Sequence, residues 1–117
     1  MIEFVADKPI FRQVADYCAR RILDGTWAPS GRIPSTKELA VTLAVNNRTV
    51  MKAYDDLSAA GVIYQRRGMG YYVADDAAES LRAFLRRDFI ANTLPDLTAR
   101  MHLAGITPAD LLSLLGG

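Results

Sequence analysis

Residues 34–57 read PSTKELAVTLAVNNRTVMKAYDDL, and this stretch decides the fold. Ser35 is a good helix N-cap and Glu38 stands three residues later. That capping-box spacing predicts a helix starting just after Ser35. Leu39, Ala40 and Leu43 follow at helical spacing and give it one apolar face. The pattern breaks at Ala44-Val45-Asn46, where Asn46 is suited to cap a second helix. That helix is expected to run to Ala60, because Gly61 supplies the left-handed residue that commonly ends helices. Its apolar set is Val50, Ala53, Tyr54 and Leu57, while Asn47, Arg48, Thr49 and Lys52 open it on the other side. Two short helices, a tight turn and a polar, basic opening to the second helix make a helix-turn-helix. In such a motif the second helix lies in the DNA major groove, with its N-terminal residues at the base edges.

Beyond Gly61 the period changes. Val62-Ile63-Tyr64 and Tyr71-Tyr72-Val73 are strand formers around the basic, glycine-containing stretch Arg66-Arg67-Gly68-Met69-Gly70, which predicts a hairpin. Directly after a helix-turn-helix, such a hairpin reads as a wing, its arginines suited to phosphate or the minor groove. Before the motif, residues 1–7 read as a short extended arm with apolar Ile2, Phe4 and Val5. Asp7 is a possible cap for a first helix with Pro9 in its first turn. Ile10, Val14, Cys18 and Ile22 form that helix's apolar stripe, with Tyr17 and Leu23 beside it, and Gly25 ends it. Thr26 to Gly31 is a turn-rich connector in which Trp27 is expected to plug one end of the core.

The C-terminal part opens at Asp76 with Glu79 in capping-box spacing. Leu81, Phe84, Leu85, Phe89, Leu94, Leu97 and Met101 mark a long apolar face. A helix from Ala77 to Ala104 would span about 42 Å at 1.5 Å per residue. Pro95 is expected to kink or split it, with Thr93 a candidate cap for the new helix. Thr107-Pro108-Ala109-Asp110 then starts a last short helix carrying Leu111, Leu112, Leu114 and Leu115. So much leucine and phenylalanine with no sheet to cover it calls for a second copy of the chain. Leu81, Phe84, Leu85, Phe89, Leu94, Leu97, Met101, Leu111, Leu112 and Leu115 are its expected contacts.

At 117 residues the chain is one domain or a small domain with an appendage. It has no run of about 18 apolar residues to span a membrane and no signal peptide, so cytoplasmic residence is expected. One cysteine, Cys18, and one histidine, His102, build neither a disulfide nor a metal site. No nucleophile has a plausible base, and Gly68-Met69-Gly70 precedes a strand rather than a helix, so it is no dinucleotide fingerprint. No catalytic residues, metal or cofactor are expected, and the chain does not read as an enzyme. The net charge is only +1, but residues 1–74 hold ten Lys/Arg against seven Asp/Glu, and residues 75–117 hold four against six. A basic front and an acidic tail suit a phosphate-facing module joined to a protein-facing one.

The span Pro9–Val73 resembles the DNA-binding domain of the GntR family of bacterial transcription regulators. The pieces that carry the likeness are Ile22/Gly25, Gly31/Pro34/Ser35, Leu39/Ala40, Arg48/Thr49/Val50/Ala53/Leu57, Gly61/Val62/Ile63 and Arg66/Gly68/Gly70/Val73. The family's arginine after Pro-Ser falls on Lys37, a departure, since lysine lacks arginine's bidentate fork. The resemblance gives Arg48 the base-reading role, bidentate to a guanine, and Thr49 a phosphate. Lys52 is a second basic position one turn later, and Arg67 with Gly68 is the part of the wing that reaches the minor groove or its phosphates. Asn46-Asn47 stands where many relatives have a serine before the arginine, and Asn47 is suited to adenine. The short tail is similar to that of the YtrA subfamily, where it serves dimerisation.

The resulting expectation is a mainly α protein with a small β-hairpin: a winged helix-turn-helix domain over residues 1–74 and a two- or three-helix dimerisation tail over residues 75–117. Ser35, Lys37, Asn47, Arg48, Thr49, Lys52, Arg66, Arg67, Gly68 and Gly70 are the DNA-facing set. The expected partners are a double-stranded DNA operator, a second copy of the chain, and an effector molecule of unspecified chemistry. The expected function is transcriptional regulation, as a repressor, on an inverted-repeat operator. The competing reading is a winged-helix module that docks a protein.

Overall fold

The computed structural model describes residues 8–116. The N-terminal arm with Ile2, Phe4 and Val5, and the Asp7 cap, lie outside them. The elements run α1 (Ile10–Leu23), α2 (Thr36–Leu43), α3 (Asn47–Ala59), β1 (Ile63–Arg66), β2 (Gly70–Val73), α4 (Ala77–Asp88), a π turn (Phe89–Thr93), α5 (Leu94–Ala104) and α6 (Pro108–Leu114). The chain divides between Phe84 and Leu85 into two compact units.

In the first unit α3 packs against both α1 and α2. Its inward residues Val50, Ala53, Tyr54 and Leu57 have no exposed surface, and Val14, Cys18, Leu39, Ile63 and Val73 are buried with them. The Tyr54 hydroxyl donates to the Pro34 carbonyl at 2.7 Å, so its polar end is satisfied where the chain enters α2. Burial pushes that phenol far above its ordinary pKa, and pushes the Cys18 thiol up to about 12. Cys18 is thus an inert packing residue. On α1 the structure corrects the expected stripe. Ile10 opens the helix and is exposed, and burial starts at Gln13 and Val14. Pro9 is the N-cap rather than a first-turn residue. Trp27 is half-buried and meets the Tyr17 ring edge-on at 6.3 Å.

The turn between α2 and α3 is built by local chemistry. Ala44 caps α2 in the left-handed conformation at φ 56°, and the Asn46 side chain accepts from the Arg48 N–H at 2.8 Å to start α3. A left-handed alanine costs roughly 1 kcal/mol, so the turn is held by the packing of the helices on either side. At the end of α3, Gly61 takes φ 77° and the chain enters β1.

The hairpin pairs Ile63 with Val73 and Arg66 with Gly70 in antiparallel register. Its turn closes by Met69 N–H donating to the Arg66 carbonyl at 2.8 Å, with Gly68 at φ 74° where an L side chain would be strained. The connector before α2, read from sequence as turns alone, also joins the hairpin. Ser30 and Ile33 donate to the Val73 and Tyr71 carbonyls, and Val73 donates to Gly31, each at 2.9 Å. Arg32 bridges to Tyr72.

Of the two outcomes expected at Pro95, a kink or a split, the chain does not split. The backbone stays helical through it, and Thr93 makes no side-chain cap. The preceding turn widens instead, so that the Leu94 N–H donates to the Phe89 carbonyl five residues back. A π turn supplies one extra residue just ahead of the proline, where the missing N–H would otherwise interrupt the ladder. α6 starts where expected, and the structure adds a Thr107/Asp110 capping box. Two residues expected to meet a second copy do not offer themselves. Leu81 has no exposed surface and Met101 is buried, so the chain's own packing already covers both.

Candidate nucleic-acid interface

Lys37 and Arg48 occupy the same place in their helices, the second residue of α2 and of α3. Both are exposed. A cation in a first turn opposes the helix dipole, so folding alone does not favour either position. What it does favour is visible beside them. The Ser35 hydroxyl accepts from the Glu38 N–H at 3.1 Å, and Glu38 Oε1 accepts from the Ser35 N–H at 2.8 Å. The Ser35 backbone N–H first, and then its hydroxyl, hold the Glu38 carboxyl below its usual range, with the Arg32 charge adding to them. The cap fixes the axis of α2 and with it the base of Lys37. The hydroxyl of Ser35, expected on DNA, is therefore already engaged in the cap.

The other expected residues sort by what already holds them. Arg67 and Gly68 form the exposed tip of the hairpin together with Met69. The Arg66 guanidinium lies over the Tyr72 ring, 5.1 Å from its centroid, and Tyr72 stacks on Tyr64 at 5.8 Å. Arg66 thus rests on the outer face of the hairpin, behind the tip. Lys52 is drawn back: its ammonium is 3.2 Å from Asp56 Oδ1 and lies over the Phe11 ring of α1 at 5.2 Å. Thr49 is half-buried, its N–H donating to the Asn46 carbonyl at 3.0 Å. Asn47 is half-buried too, with Nδ2 3.5 Å from Met51 Sδ and Oδ1 buried without a hydrogen-bond partner among the described residues. Gly70 belongs to the support of the wing. It takes φ 97°, which favours glycine, and a Cβ there would lie 3.1 Å from Arg32 Nε.

Two residues were missed from sequence. Met51 is exposed one turn after Asn47 on α3. Arg32 is exposed beside the wing. Met51 was legible, since it falls four residues after Asn47. Arg32 had no local signal, because its neighbour Gly70 is 38 residues away in sequence.

A helix pair with exposed first-turn cations and a basic hairpin beside it is the surface of a winged helix-turn-helix. The model of the bacterial regulatory proteins of the gntR family matches residues 11–73, more than half the chain. The chain belongs to the GntR family. Within it the chain is YtrA-like: it is 33% identical over 98 residues to the HTH-type transcriptional repressor YtrA of Bacillus subtilis, covering 84% of this chain and 75% of that one. Among solved structures, a GntR family transcriptional regulator from Listeria monocytogenes superposes with a TM-score of 0.69 at 27% identity, over 97% of each chain. The structure of AraR(DBD) in complex with operator ORR3 matches 63% of this chain and 89% of its own at 30% identity, with a TM-score of 0.57. This GntR protein is accordingly a DNA-binding transcriptional regulator, and no helix among its described residues is long and apolar enough to cross a membrane.

Proposed function

We propose that this GntR protein is a cytoplasmic, homodimeric repressor that binds an inverted-repeat operator. In this reading residues 1–74 bind DNA and residues 75–117 join the two copies. The observation that carries it is the pair of exposed cations, Lys37 and Arg48, at equivalent first-turn positions beside the exposed wing tip Arg67-Gly68. Arg48 reads a guanine by its two-pronged fork, and Lys37, a point charge, holds phosphate. Arg67 reaches the minor groove or its phosphates. The family relative named a repressor supports the sign of regulation. Self-association is supported by the C-terminal helices, where Leu103, Leu112, Leu114 and Leu115 are 62–86% exposed and Phe89, Ile90 and Leu94 are exposed beside the π turn. A stretch this rich in uncovered leucine is the signature of an interface. Ile90, Leu103 and Leu114 thereby join the expected contacts, and Leu81 and Met101 leave them.

The test is selection of bound sequences from a random DNA pool, paired with sedimentation of the free protein. Recovery of an inverted repeat with half-sites about one helical turn or a multiple apart, and a dimer in sedimentation, are the expected results. A monomer, or a pool that never converges, would contradict the reading.

A further inference from the structure

Resting on that DNA-binding reading, we propose that Arg32 is a further DNA contact, a phosphate clamp seated between the wing and the start of α2. Four observations place it. Its backbone is fixed, with Arg32 bridged to Tyr72 and Ile33 N–H donating to Tyr71. Because Arg32 and Tyr72 are paired across the bridge, their side chains share the outer face of the hairpin. From there Arg32 runs over Gly70: Nε would be 3.1 Å, and Nη2 3.5 Å, from a Cβ at that position. The absent Cβ is the groove in which the guanidinium lies.

The other end of the clamp faces α2. The Arg32 charge is felt at Glu38, in the first turn that also carries Lys37. One oxygen of the Glu38 carboxylate accepts from the Ser35 N–H. Arg32 is exposed, and among the described residues no hydrogen bond or ion pair within 4.0 Å takes its donors. A guanidinium carries five N–H donors in a rigid plane, the geometry that matches two phosphate oxygens at once. It lies against Gly70 of the wing while its charge reaches Glu38 in the first turn of α2, so a DNA strand running from α2 to the wing passes it. Phosphate contacts position a protein on the duplex without reading its sequence. Arg32 thus sets the register in which Arg48 meets its base.

The experiment is a salt titration of DNA affinity for the full chain and for Arg32→Ala, Arg32→Lys and Gly70→Ala, on the selected operator and on unrelated DNA. Melting temperatures are recorded alongside. The expected result for Arg32→Ala is a salt slope reduced by about 0.9 per protomer on both DNAs, with an unchanged melting temperature. Arg32→Lys should keep the slope while losing part of the affinity, since the charge stays and the fork is lost. Gly70→Ala presses on the same guanidinium but also strains the backbone at φ 97°, so its loss of affinity is read beside its melting temperature. An unchanged slope in Arg32→Ala would overturn the clamp, whether or not affinity or melting changed, because a residue that only shapes the wing releases no counterions. A wild-type chain that binds neither DNA would instead remove the DNA reading itself.

Discussion

The two units of this chain dispose of their apolar residues in opposite ways. In the winged unit, Val14, Cys18, Val50, Ala53, Tyr54, Leu57 and Val73 have no exposed surface. In the C-terminal helices, Leu103, Leu112, Leu114 and Leu115 are mostly in contact with solvent. The polar residues invert as well: the winged unit leaves cations uncovered where folding does not favour them, at the openings of α2 and α3. The difference teaches that the first unit is finished as a fold and unfinished as a binder of anions. The second leaves its leucines uncovered, the feature on which the proposed dimer rests.

Substitutions in the two regions should therefore fail differently. The largest effect is expected for Leu57→Ala, a cavity in the finished core, at about 2–5 kcal/mol of stability by urea unfolding. Leu112→Ser with Leu115→Ser should leave the cooperative unfolding of the winged unit near that of the wild type and shift sedimentation from dimer to monomer. If the double change also unfolds the winged unit, the two regions are not distinct in the way described. Next comes Arg48→Ala, expected to weaken operator binding by roughly 1–3 kcal/mol and relax one base pair, while leaving stability unchanged. Tyr54→Phe removes the bond to Pro34 and should cost about 1 kcal/mol of stability. The smallest change is Ala44→Gly, which relieves the left-handed turn and should raise stability by less than about 1 kcal/mol.

Acid offers a further probe. The carboxyls of Glu38 and Asp110 are held below their ordinary range by the backbone and hydroxyl of Ser35 and Thr107. A depressed folded-state pKa means stability that is present above the unfolded value and is lost as pH falls through the folded one. Helix content should thus decline below the usual carboxylate range. Replacing Glu38 by Gln, which keeps an acceptor but does not titrate, should remove its share of that decline.

What was legible in the sequence was local chemistry. Ser35/Glu38, Asn46 and Thr107/Asp110 announce their helices within four residues, and each does so in the structure. The inward faces of α2 and α3 were legible through periodicity. What was not legible is mostly contacts that the chain makes across long separations or by changing its period. Lys52 falls on the expected side of α3, but Phe11 of α1 and Asp56 hold it back. Gly70 was placed in the DNA-facing set, and in the structure it takes φ 97° and lies against Arg32. Leu81 sits in the tail's apolar series, yet it is buried in its own chain. A proline read as a helix breaker is absorbed by one wide turn at Phe89–Thr93. Apart from the Lys52–Asp56 pair at i,i+4, none of these has a signature within a few residues.

The most direct test of the central claim is fluorescence anisotropy of wild type and Arg48→Ala against DNA from upstream of the protein's own gene, with unrelated DNA as control. Wild type is expected to bind the upstream DNA tighter than the control by about 10³ or more, and Arg48→Ala to lose much of that preference while keeping the weak, salt-sensitive binding. Equal discrimination by the two proteins would contradict Arg48 as the reader of the operator.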